Sequence, residues 1–187
     1  TFDHVITHYL SNTGFKSLSA STRKPKRGRL DAIRALIGAA RLADLEPHHI
    51  ENLMDRKGGP EAANRLHKEI GELYRYAQKK LGYKGSHPAE QVERRKTKTT
   101  GFHTWTAEEV EQFRAHHASG TLARLAFEVI LGTGAARQDA CAMGRQNIKG
   151  PKIWYRRGKT GQDVSLPLCL LPELRDELLL VPAEQSQ

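Results

Sequence analysis

Two clusters of cations stand out by type and spacing. Arg23, Lys24, Lys26, Arg27 and Arg29 crowd the opening of a predicted helix, and Arg94-Arg95-Lys96-Thr97-Lys98 forms a second run where apolar periodicity is lost. A helix dipole opposes positive charge at its N-terminus, so an external anion explains the first cluster better than local stability does; a solvated, frayed terminus is the other reading. The second run suits either a phosphate backbone or plain solvation. The chain carries 30 Lys+Arg against 21 Asp+Glu, a net charge of +9. Residues 1–100 hold 20 basic and 11 acidic side chains while 101–187 hold 10 of each, so the whole excess lies in the first part. This asymmetry favours a polyanionic partner, nucleic acid first, over charge that serves solubility alone.

Other chemistry is thin. His48-His49 and His116-His117 are adjacent rather than four apart, so neither pair shares a helix face as a zinc site on one helix requires. Cys141 and Cys169 are too few and too far apart for a disulfide framework or a zinc cluster. Gly132-Thr133-Gly134 lacks the rest of a phosphate-binding loop, which argues against nucleotide hydrolysis. No metal and no cofactor are expected. Nor is a membrane partner, because no apolar run approaches the roughly 20 residues of a spanning helix and TFDHVITHYL has no leader pattern. A cytoplasmic location follows as the expectation.

The elements that must position these residues are mostly helical. The 187 residues suit one large domain or two small ones. Phe2, Val5, Ile6, Tyr9 and Leu10 form a helical stripe that ends at Ser11-Asn12-Thr13-Gly14. A second helix is expected from about Ser21, with Pro25 in its first turn, through Leu30, Ile33, Leu36, Ile37 and Ala40. Pro47 and Pro60 each open a further helix, and Gly82 stops the last one. Between Tyr83 and Thr104 the composition reads as a basic linker, either a domain connection or a segment ordered by a ligand. Thr106 and Glu109 then have capping-box spacing, and a central helix is expected over Thr121–Leu131. A short helix over Arg137–Met143, strands at Lys152–Arg156 and Val164–Leu168, and a helix over Leu171–Leu180 with Pro182 beyond it complete the reading.

Three of these segments together resemble the tyrosine recombinases, or phage-type integrases. They are Gly101-Phe102-His103-Thr104-Trp105-Thr106-Ala107-Glu108-Glu109, the box Leu131-Gly132-Thr133-Gly134-Ala135-Ala136-Arg137-Gln138-Asp139, and the hairpin Gly158-Lys159-Thr160-Gly161 followed by Val164-Ser165-Leu166-Pro167-Leu168. Residues 1–82 look like that family's helical core-binding domain. The resemblance implies a mainly α fold with a small β-hairpin: a SAM-like core-binding bundle at 1–82, a basic interdomain linker at 83–103, and the N-terminal portion of an integrase-like catalytic domain at 104–187. Double-stranded DNA is the implied partner, clamped between two domains, with self-association among recombinase protomers on DNA. A bacterial or phage-encoded, nucleoid-associated protein is implied as well.

Strand transfer through a phosphodiester needs guanidinium groups on the nonbridging oxygens, a nucleophile, and an acid for the departing 5′-oxygen. By resemblance, Lys159 is the general-acid candidate and Asp139 the supporting carboxylate. The slot of the family's first arginine holds Ala136. Arg137 is one residue on, and a one-residue helical step turns a side chain by about 100°, so its substitution requires a local register shift. None of the nine histidines has arginine three residues later, and Tyr9, Tyr74, Tyr76, Tyr83 and Tyr155 all precede Lys159. The family's His-x-x-Arg box and tyrosine nucleophile are therefore absent, and cleavage by this polypeptide alone is not expected. Two readings stand: a fragment or inactivated form of a DNA site-specific recombinase, or a noncatalytic DNA-binding regulator derived from one. Charge and helix face nominate Lys24, Lys26, Arg27, Arg65, Lys68 and Arg75 as DNA contacts, joined by Arg94, Arg95, Lys96 and Lys98 of the linker.

Overall fold

Thr1 begins the fold by capping α1 (Phe2–Ser11), its hydroxyl accepting from the His4 amide, and the apolar stripe of that helix buries Phe2, Val5 and Ile6. The computed structural model describes residues 1–98 and 101–180, in two units, Thr1–Gly101 and Phe102–Gln187. Thr99, Thr100 and the expected helix-stopping Pro182 lie outside the described residues. No helix of the described residues is long and apolar enough to cross a membrane.

In the first unit, α1 is followed by the short α2 (Thr13–Lys16), α3 (Ala20–Ile37), α4 (Pro47–Asp55) and α5 (Pro60–Lys80). Ser19 caps α3, so Pro25 falls at the sixth helical position rather than in the first turn. Lacking an N–H, it forgoes one intrahelical bond there. Leu30 and Ile33 of α3, Ile50 and Met54 of α4, and Ile70, Leu73 and Tyr74 of α5 form one core with Phe2 and Ile6. Tyr74 shows how buried polar groups are satisfied: its hydroxyl donates to the Leu42 carbonyl at 2.7 Å while its ring meets Phe2 edge-on. Burial, with Tyr83 nearby, pushes the Tyr74 phenol well above its ordinary value.

The expected linker departs from the sequence reading. Its His87, Pro88, Ala89 and Val92 are buried, and the unit boundary falls after Gly101. The reason is twofold: Ala89 and Val92 pack into the bundle core, and a series of polar anchors on α5 and α4 holds the backbone. The His67 ring bonds the Ala89 carbonyl at 2.7 Å, the His87 ring reaches the Gly71 carbonyl at 3.2 Å, and Asn64 holds the Arg95 backbone through both its amide nitrogen and its oxygen, at 2.8 and 2.7 Å. Arg95 also pairs with Asp55 at 2.5 Å. Residues 87–95 thus form a strap laid on the bundle.

The second unit begins with α6 (Ala107–His116), whose Thr106–Glu109 capping box is reciprocal: the Glu109 amide donates to the Thr106 hydroxyl and the Thr106 amide to the Glu109 carboxylate. Then come α7 (Leu122–Thr133), α8 (Arg137–Cys141) and an antiparallel sheet in the order β1 (Ile148–Lys149), β2 (Lys152–Arg156), β3 (Asp163–Pro167). Tyr155 pairs with Val164 and Ile153 with Leu166 across β2–β3. The final α9 (Pro172–Leu180) packs Leu174 against Leu125 and Ile153.

Buried charge, not apolar bulk alone, binds these helices. Glu128 on α7 and Glu177 on α9 are each 2% exposed. Arg114 of α6 grips Glu128 with two nitrogens at 2.8 and 2.9 Å, and Arg124 reaches the same carboxylate at 2.9 Å and Glu177 at 3.9 Å. Glu177 in turn accepts from the Gly120 amide at 2.8 Å and from the Ser119 hydroxyl. Burial pushes the Glu128 carboxyl up, but hydrogen bonds and charge from Arg114 and Arg124 more than reverse this and leave it below the ordinary carboxylate value.

Candidate functional site

The box at the end of α7 and the hairpin turn meet through Asp139. Its Oδ1 accepts the Gly158 amide at 3.0 Å, immediately before Lys159. The junction is held at a second point, where the Tyr155 hydroxyl on β2 donates to the Thr133 carbonyl at 3.2 Å. Thr133 is itself fixed: its hydroxyl donates to the Val129 carbonyl and accepts from the Ala135 amide. Gly134 ends α7 at φ +61°, in the left-handed region that favours glycine, with its amide on the Ile130 carbonyl. A side chain at Gly158 would start 3.0 Å from the Asp139 oxygen, so glycine there lets the turn approach closely.

Lys159 is exposed on a turn closed by the Gly161 amide on the Arg157 carbonyl and the Arg157 amide on the Gln162 carbonyl, both 2.8 Å. Arg156 is tied to the same turn through the Gly161 carbonyl. Among the described residues the Lys159 ammonium has no hydrogen-bond or ion-pair partner. It is thus presented from a braced loop rather than folded down.

Ala136 is exposed and extended, at φ −63° and ψ 149°, capping α8 without a side-chain bond. Arg137, the first helical residue, is exposed as well. The step between them is therefore not a helical step, and the expected 100° rotation does not describe it. Tyr155 is 2% exposed and serves packing and the Thr133 bond.

The nominated cations of the first unit separate into two groups. Lys24, Arg27, Arg65, Lys68, Arg75, Arg94, Lys96 and Lys98 are exposed. Lys26 and Arg95, nominated with them, are instead engaged in ion pairs within the unit. Lys26 pairs with Glu72 and lies 3.8 Å from Glu69, with its ammonium 5.3 Å from the Tyr9 ring centre. Burial pulls its pKa down, yet Glu72, Tyr9 and Glu69 together raise it above the ordinary lysine value. Arg29 joins at 2.6 Å from Glu69, so the α3 cluster, read from sequence as facing an external anion, is partly neutralised by α5. The pairing was hidden because Glu69, 40 residues away, carries no mark of burial in its sequence context.

Arg65, Lys68 and Arg94 are brought together. With Arg29, Glu61, Asn64, Glu69 and Thr97 they line a groove of about 400 Å³ between α5 and the strap. None of the three side chains has an intramolecular hydrogen bond or ion pair among the described residues.

No family model and no curated protein matches the chain. Solved structures do. A lambda integrase dimer bound to a COC′ core site is 20% identical at a TM-score of 0.73, covering 88% of this chain and 47% of that one. A lambda integrase tetramer bound to a Holliday junction gives 20% and 0.73, with 89% and 49% covered. A shorter lambda integrase dimer on a COC′ core site gives 19% and 0.77, covering 98% of this chain and 64% of that one. The chain spans about half the length of the first two structures. A helical bundle, then a unit whose glycine-ended helix and braced hairpin are locked together by a carboxylate, thus shares its fold with part of the solved lambda integrase structures.

Proposed function

We propose that this chain binds duplex DNA through its basic first unit and contributes the first-arginine box and the lysine hairpin of a recombinase-type strand-transfer site. The observation that carries the reading is the Asp139–Gly158 bond, because it couples the two motifs that such a reaction needs near one phosphate. Lys159, unpaired on a braced turn, is the proton donor for the departing 5′-oxygen in this scheme. Self-association on DNA, as in the dimeric and tetrameric lambda integrase complexes, belongs to the same proposal.

Ala136 favours a second reading, that of a noncatalytic DNA-binding regulator, since no guanidinium stands in the first arginine's slot. Losing one charge-stabilising donor costs on the order of 10²–10³ in rate. One experiment separates the two readings: A136R in a chain that also carries a His-x-x-Arg box and a late tyrosine, assayed on a suicide DNA substrate. Recovered cleavage supports the recombinase; binding with continued silence supports the regulator.

A further inference from the structure

We propose that Asn64 is a positioning residue: by clamping the Arg95 backbone it sets Arg94 opposite Arg65 and Lys68 and so prebuilds a site for one backbone phosphate of a DNA duplex. The inference rests on the DNA-binding reading and adds to it a specific receptor and the residue that assembles it. Asn64 uses both ends of its amide on one backbone unit, donating to the Arg95 carbonyl and accepting from its N–H. A single side chain that satisfies both groups of one residue fixes the position and the orientation of the strap together. The clamped residue adjoins Arg94, which lines the same groove as Arg65 and Lys68, one and four residues beyond Asn64 on α5.

The charge in that groove calls for an anion. Of the six charged residues lining it, Arg29 is paired with Glu69, which leaves Arg65, Lys68 and Arg94 facing only Glu61. Three cations held near one another without partners repel, and the polar strap that holds them there lowers the ordering cost of binding a phosphate. A flexible basic tail would instead incur that cost on each encounter.

The test uses the whole chain and a fluorescein-labelled duplex of mixed sequence, titrated by anisotropy over a salt series, with Asn64→Ala, Arg94→Gln and the double variant beside the parent. Each phosphate contact contributes about 0.9 to the slope of log affinity against log salt. Arg94→Gln is expected to lower the slope by about one. Asn64→Ala removes no charge, yet is expected to lower it by a similar amount and to hasten tryptic cleavage after Arg94 and Arg95. The double variant is expected to bind no more weakly than Arg94→Gln alone. An unchanged slope in Asn64→Ala, or effects of the two substitutions that simply multiply, overturns the proposal. If Asn64→Ala fails to fold by circular dichroism, Arg94→Gln decides alone, and an unchanged slope in it overturns the phosphate site. A parent chain that ignores duplex at low salt overturns the DNA-binding reading itself, whereas a binding parent with an indifferent Asn64→Ala overturns only this inference.

Discussion

Asp139 joins two motifs through one hydrogen bond, and Gly158 leaves just enough room for it. A hydrogen bond to a charged acceptor contributes about 1.5–3 kcal/mol, and for this exposed one the low end, about 1.5 kcal/mol, applies. Asp139→Ala is therefore expected to destabilise the second unit by about that amount and to speed hydrogen exchange at the Gly158 amide. Both tryptophans, Trp105 and Trp154, lie in this unit, so urea unfolding followed by their emission reads it without interference. The motifs in the sequence point to Asp139, Lys159 and Ala136, and the bond from the Gly158 amide brings the first of these to the hairpin that carries the second. Asn64, His67 and His87 carry no such mark, because their partners are backbone groups 16 to 31 residues away and nothing in their immediate neighbours signals that distance.

Periodicity and end signals carried most of the elements. The stripes of α1 and α5, the prolines that open α4 and α5, the Thr106 capping box and the β2–β3 hairpin all lie close to where the pattern puts them. Two-residue β1 is not legible in the sequence because so short a strand has no alternation to detect. The strap reads as a linker in the sequence because its few apolar residues show no period; Ala89 and Val92 nevertheless join the bundle core, and polar anchors fix the backbone around them. Buried carboxylates leave no trace in the sequence, since glutamates on a helix look like surface charge. Glu128 gives this a measurable consequence. Glu128→Gln removes the carboxylate that Arg114 and Arg124 share, leaving them only Glu111 and Glu177, and is expected to cost about 3 kcal/mol, the low end for breaking a buried ion pair. The carboxyl lies below its ordinary 4.5 when folded, so its stabilisation is present above that pH and is lost as pH falls through the lower, folded value. The stability gap between parent and Glu128→Gln, read by tryptophan emission in urea, should therefore narrow below pH 4.5. A gap that stays constant or widens there contradicts this view of the network.

For the molecule as a whole, charge and fold point the same way. The entire net charge of +9 lies in residues 1–100, and two solved lambda integrase structures with this fold are bound to a core site and to a Holliday junction. Such a partner should show itself as counterion release. The most direct measurement is the affinity of the unmodified chain for duplex DNA across a salt series. Binding at low salt that weakens linearly in log–log form, with a slope of about −3 or steeper from Arg65, Lys68, Arg94 and their exposed neighbours, is the expected result. No binding in dilute buffer, or binding indifferent to salt, would contradict it.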